Sequence, residues 1–78
     1  PNPFNPATSI SFTLPRSEMV KLTVYNLLGQ KIKTLIDEFK EAGVHYVNFN
    51  AKDLNSGIYI YKIETVSFTQ TRKMTLIK

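Results

Sequence analysis

From Ser9 to Leu14 the apolar residues Ile10, Phe12 and Leu14 alternate with Ser9, Ser11 and Thr13. A period of two buries one face of a strand and wets the other, and Pro15 closes the segment. The same alternation runs from Met19 to Tyr25, with Val20, Leu22 and Val24 set against Lys21, Thr23 and Tyr25. Asn26 and Gly29 then supply turn chemistry. After Ala42-Gly43, the stretch His45 to Asn50 places Val47 and Phe49 on one side and Tyr46 and Asn48 on the other, a further short strand. Lys52 to Gly57 is rich in turn formers. Ile58 to Ile63 is apolar on both faces, which predicts a central strand covered from both sides. From Phe68 to Ile77, Phe68, Met74 and Leu76 oppose Thr69, Thr71, Lys73 and Thr75, giving a last strand whose open edge would offer pairing to a partner strand.

Gln30 to Phe39 reads differently, because Ile32, Leu35, Ile36 and Phe39 fall at i, i+3, i+4 and i+7, the spacing of an amphipathic helix. Its position directly after the hairpin-like Leu28-Gly29-Gln30, and its place among strands, favour a strand with a bulge that sets Leu35 and Ile36 on opposite faces. We assign it as a strand. Six or seven short antiparallel strands with glycine and proline between them fit an all-β, two-sheet sandwich.

At 78 residues the chain has room for one small domain spanning residues 1–78, with an ordinary globular composition of 42% hydrophobic and 21% charged residues. A chain this short buries about 60–65% of the surface its unfolded form exposes, so its apolar side chains are needed for the core and little remains for an enclosed active-site cavity. It has no cysteine and one histidine, which excludes thiolate chemistry and any cluster of imidazole ligands. The net charge of +4 favours anionic partners without identifying one. Apolar runs are too short for a transmembrane segment, and no segment reads as a signal peptide. Because the chain begins at Pro1 rather than methionine, we expect a module cut from a longer protein whose targeting signal lies upstream.

Residues able to carry chemistry are few. Asp37, Glu38 and Glu41 cluster in a solvated stretch and lack the enclosure that shifts carboxylate pKa values. His45 has no second ligand and reads as a histidine bonded to a turn. The three glycines lie too far apart to cradle a phosphate. Tyr25, Tyr46, Tyr59 and Tyr61 with nearby lysines would make a stacking platform for sugars or bases if they shared an open face, and strand alternation accounts for them equally well. Pro3-Phe4-Asn5-Pro6 reads as a rigid lead-in, and Arg72, Lys73 and Lys78 form a basic end. Read from the residues alone, this is a small β-sandwich module and not an enzyme, with no metal or cofactor indicated.

Four motifs in order add to this reading: Pro1-Asn2-Pro3-Phe4-Asn5-Pro6, Val24 to Gln30, Leu54 to Tyr61, and Thr71-Arg72-Lys73-Met74 to Lys78. In this order and spacing, covering nearly the whole chain, they resemble the type A C-terminal sorting domain of the type IX secretion system. The resemblance implies an immunoglobulin-like antiparallel sandwich of about seven strands, found behind secreted cargo of Bacteroidetes and related bacteria. It implies a non-catalytic address: an upstream cargo domain in the same chain crosses the periplasm, and the outer-membrane translocon recognises the folded C-terminal domain. A sortase-like peptidase then commonly removes the domain and joins the cargo to lipopolysaccharide, so the product is secreted or held at the cell surface.

Residue by residue, Pro1, Asn2 and Pro3 match the family's opening motif, Gly57 and Tyr59 its Gly-x-Tyr motif, and Lys73 and Lys78 its basic C-terminal motif. Gly57 also has a structural reading as a positive-φ turn residue, and Tyr59 as core. Packing explains Lys73 and Lys78 least, and recognition is expected there. The family's usual aromatic before the first proline is absent, and Phe49 stands where tryptophan is common. The alternative is an accessory sandwich of a secreted enzyme, binding carbohydrate or acting as a scaffold. It requires Tyr25, Tyr46 or Tyr61 to line a flat open face. A nucleic-acid-binding module would instead require its cations on one face.

Overall fold

The computed structural model describes residues 7–77. Six strands occupy most of that length: β1 (Ala7–Leu14), β2 (Glu18–Asn26), β3 (Lys31–Lys40), β4 (Gly43–Asn50), β5 (Gly57–Glu64) and β6 (Thr69–Leu76). Every pairing is antiparallel, and the strands form two sheets, β1-β4 and β3-β2-β5-β6. The expected all-β sandwich is present, with six strands among the described residues rather than about seven.

Alternation sets the core. Ile10, Phe12 and Leu14 of β1 face Val20, Leu22 and Val24 of β2 across the layer, joined by Phe49, Tyr59, Ile63 and Leu76, all buried. Each such side chain contributes about 1.5–3 kcal/mol on leaving water. Phe49 is among the largest fully buried side chains.

The helix-like stretch is strand β3, and its pattern has a physical origin. Opposite β2 the register slips twice: Leu22 pairs with Ile36 and Thr23 with Thr34, leaving Leu35 over, while Val24 pairs with Lys33 and Tyr25 with Lys31, leaving Ile32 over. A bulged residue escapes strict alternation. Ile36 is buried in the core, and Ile32 and Leu35 both pack against it. Two bulges thus bring positions 32, 35 and 36 to one core, reproducing the first part of a helical spacing. The expectation that a bulge would send Leu35 and Ile36 to opposite faces is corrected accordingly. Phe39 remains largely exposed, opposite Met19.

The two layers are unequal. Phe49 and Asn50 of β4 line one pocket with Ile32 and Lys33 of β3, whereas Ser11, Phe12 and Thr13 of β1 line another with Tyr61, Gln70 and Arg72 of β5 and β6. The short sheet therefore sits with β4 toward β3 and β1 toward β6.

Candidate recognition surface

The outer face of the four-stranded sheet is built by the residues that alternate away from the core. Register places Lys31, Tyr25, Ile60 and Lys73 side by side across all four strands. The next row toward one end holds Thr34, Thr23, Lys62 and Thr71, and the row beyond it Asp37, Lys21, Glu64 and Thr69. On the other side of the Ile60 row, Ile58 lies beside Thr75, near the exposed Leu27 of the β2–β3 turn.

This face is electrostatically divided. Around Lys21 the charges alternate Asp37, Lys21, Glu64 across three strands. Around Ile60 the rows contain Lys31, Lys62 and Lys73 and no acid. Lys62 Nζ lies 5.5 Å from the centroid of the Tyr25 ring, a cation–π contact, and 3.7 Å from Glu64 Oε2. Lys73 is exposed and forms no ion pair with any described residue. The acid-free half thus presents ammonium groups around an apolar floor of Ile58, Ile60 and Tyr25.

β5 is central, as its double-sided apolarity predicts, lying between β2 and β6. Coverage from both sides is not what the structure has: Ile58 is 40% exposed and Ile60 partly exposed, because both β1 and β4 lie on the opposite face. Tyr25, Lys31, Ile60 and Lys62 were not singled out as a set by sequence reasoning. The signal available was the apolar outer positions of a central strand.

The predicted site residues do not form one cluster. Lys73 sits in the middle of β6 on the outer face, opposite Ile60. Tyr59 lies on the inner face, 8% exposed, and its hydroxyl donates to the Asn55 carbonyl at 2.7 Å. Gly57 opens β5 at φ 158°, and a Cβ there would meet nothing within 4 Å, so backbone geometry rather than space favours glycine. Gly57 and Tyr59 therefore shape the start of β5, while Lys73 faces solvent. Pro1, Asn2, Pro3 and Lys78 lie outside the described residues.

Other candidates resolve individually. His45 Nε2 donates to the Glu41 carbonyl, 2.6 Å away, and its ring stacks on Phe12 with centroids 5.4 Å apart. It is a histidine bonded to a turn, as its sequence position predicts. Asp37, Glu38 and Glu41 are exposed along and just after β3. The Lys40 ammonium, 2.8 Å from Glu38, holds that carboxyl below its ordinary value through a hydrogen bond and its charge. The tyrosines needed for a carbohydrate platform stand on three different surfaces. Tyr25 is on the outer face of the large sheet, Tyr61 packs inward against the core, and Tyr46, 74% exposed, is on the outside of the small sheet.

Set against known families, the model for the secretion system C-terminal sorting domain matches residues 1–78. The chain belongs to the type IX secretion C-terminal sorting-domain family. No curated protein and no solved structure matches it. A sorting domain of this kind marks the protein that carries it for export, to be secreted or attached at the cell surface. The translocon of that system is the partner it implies, and no helix among the described residues is long and apolar enough to cross a membrane.

Proposed function

We propose that this sorting domain is a non-catalytic address read by the outer-membrane translocon through the acid-free half of its large sheet, with Lys73 and the C-terminal Lys78 as the cationic contacts. The observation that carries this reading is the exposed Lys73, which pairs with no acid among the described residues and stands beside Ile60 in a row that also holds Lys31 and Tyr25. An apolar floor ringed by ammonium groups fits a partner surface that offers both carboxylates and hydrophobic side chains. In this reading Gly57 and Tyr59 act by fixing the start of β5, which holds Ile58 and Ile60 in the floor. The cargo lies upstream in the same chain, and a sortase-like peptidase cuts near or before Pro1 after passage through the periplasm.

The test compares export of a cargo fused to this domain when one lysine of the outer face is removed. Lys73→Ala lowers export several-fold, and Lys73→Ala with Lys78→Ala lowers it further. Lys21→Ala, which removes the same charge from the acid-flanked half of the same face, leaves export near the parent level. Equal loss for Lys73→Ala and Lys21→Ala would assign the effect to net charge and refute a localised contact. The carbohydrate-binding alternative keeps Tyr25 and Tyr46 on open faces, but of different sheets, and with Tyr61 turned inward these tyrosines form no aromatic row.

A further inference from the structure

Among the described residues β1 pairs with β4 alone, and it stands on the side of β6, so from Thr8 to Leu14 its other edge meets no described strand and runs along the inner surface of β5 and β6. Along that edge is a cleft of about 530 Å³ lined by Ser11, Phe12, Thr13, Tyr61, Gln70 and Arg72, with Val44 at its rim. Inner-face positions of β6 that a third upper strand would cover, Gln70 opposite Ile63 and Arg72 opposite Tyr61, are polar and reach toward this space.

Exposed edges usually carry charges or proline that discourage pairing. The edges of the large sheet do: β3 has Lys31, Lys33, Asp37, Glu38 and Lys40, and β6 has Arg72 and Lys73, whereas β4 of the small sheet has neither and faces away from Arg72 toward β3. β1, with the sequence Ala-Thr-Ser-Ile-Ser-Phe-Thr-Leu, has neither over its eight residues. Its outward side chains beside β4 are Ser9, Ser11 and Thr13, small hydroxyl groups compatible with a flanking strand. From Thr8 to Leu14 that edge is about 24 Å long at the usual strand rise. Arg72 forms no ion pair or hydrogen bond with any described residue, so its guanidinium is available to a carboxylate entering the cleft.

We infer that the free edge of β1 is a strand-addition site for an extended acidic segment of a partner protein, which completes the small sheet as its third strand and sets an inward carboxylate against Arg72. The backbone ladder along β1 supplies affinity and Arg72 supplies selection for acid. This site is on the opposite side of the large sheet from the Lys73 surface and stands independently of the export reading.

The probe is a peptide of about ten residues, alternating threonine and valine with one central glutamate and an aspartate at each end, titrated into the ¹⁵N-labelled chain. Amide shifts are expected along β1 and at Gln70 to Arg72. Affinity is expected to fall about tenfold both for Arg72→Gln and for the peptide with glutamine in place of glutamate, the scale of one charge-assisted hydrogen bond. Arg16→Gln, which removes an equal charge in the β1–β2 turn, leaves affinity unchanged. Circular dichroism of Arg72→Gln, an exposed position, checks that the fold is retained. The inference is overturned by three results: shifts centred on β3 or the outer face, binding indifferent to Arg72, or line broadening that grows with protein concentration before peptide is added. The last would mean that a second copy of the chain takes the edge.

Discussion

Thr23 lies between Thr34 and Lys62 on the outer face, yet it is wholly buried and its Oγ1 has no hydrogen-bond partner. An unsatisfied buried hydroxyl is costlier than a methyl group of the same shape. Thr23→Val should therefore stabilise the domain by about 1 kcal/mol, raising the thermal midpoint by about 4–8 °C for a domain of this size. A lowered midpoint would show that the hydroxyl has a partner after all. Tyr59→Phe has the opposite sign, since it removes the bond to Asn55 while leaving the ring in the core, and should cost about 1 kcal/mol in urea unfolding. Glu38 offers a pH prediction. Its carboxyl titrates below the ordinary value because of Lys40, so the pair's contribution is present above the unfolded pKa and is lost as pH falls through the lower folded value. Glu38 is largely exposed and the effect on stability is small. A carboxyl-resolved NMR titration should find Glu38 below the ordinary value in the parent and back at it in Lys40→Gln.

At the scale of elements, the β2–β3 hairpin shows what local sequence can dictate. Asn26 Oδ1 accepts hydrogen bonds from the Leu28 and Gln30 amides at 2.9 and 3.0 Å, and its Nδ2 donates to Gln30 Oε1 at 2.7 Å. Gly29, at φ 83°, donates its amide to the Asn26 carbonyl and takes a left-handed conformation that a side chain would disfavour. Asn26→Ala should cost about 1–2 kcal/mol, with the loss read by urea unfolding. Amide exchange should be faster in β3, which is held on one side only, than in β2 and β5, which are paired on both.

That hairpin, and the strict alternations of β1 and β2, were legible because each residue's face is fixed by its immediate neighbours. β3 was legible only by its context. Its helical spacing at Ile32, Leu35 and Ile36 arises from two bulges against β2, and a bulge is a property of a pair of strands that one strand's pattern does not encode. Asn26-Leu27-Leu28-Gly29 just upstream was the decisive local clue, since it forms a tight reversal rather than a helix start.

At the scale of the whole molecule, the outer face turns on how many strands each layer has. Ile58 and Ile60 are apolar outward positions of a central strand, which in isolation reads as cover on both sides. With β1 and β4 both on the inner side, the outer side stays open, and that imbalance of layers is invisible to any local pattern. Lys73 could be singled out from the sequence because packing gives a lysine there little reason to exist, and the structure places it exposed on the outer face. Its companions Lys31, Tyr25 and Ile60 were not, because register across four strands is needed to put them in one row. Core truncation gives a check on the assembled fold. Leu22 is wholly buried in the central strand β2, and Leu22→Ala should cost about 2–5 kcal/mol. That is a large share of the stability of so small a domain, and a comparable loss of export would follow from unfolding rather than from a lost contact.

The most direct measurement of the central claim fuses residues 1–78 to a fluorescent protein carrying a periplasmic signal peptide and expresses it in a bacterium with a type IX system, with and without an active translocon. Fluorescence is scored in the periplasm, at the cell surface and in the medium. The account predicts that fluorescence leaves the cell only when the translocon is active, and that Lys73→Ala with Lys78→Ala returns it to the periplasm while the folded domain persists. Retention of the parent fusion in the periplasm of the intact host, or its release from cells lacking the translocon, would contradict it.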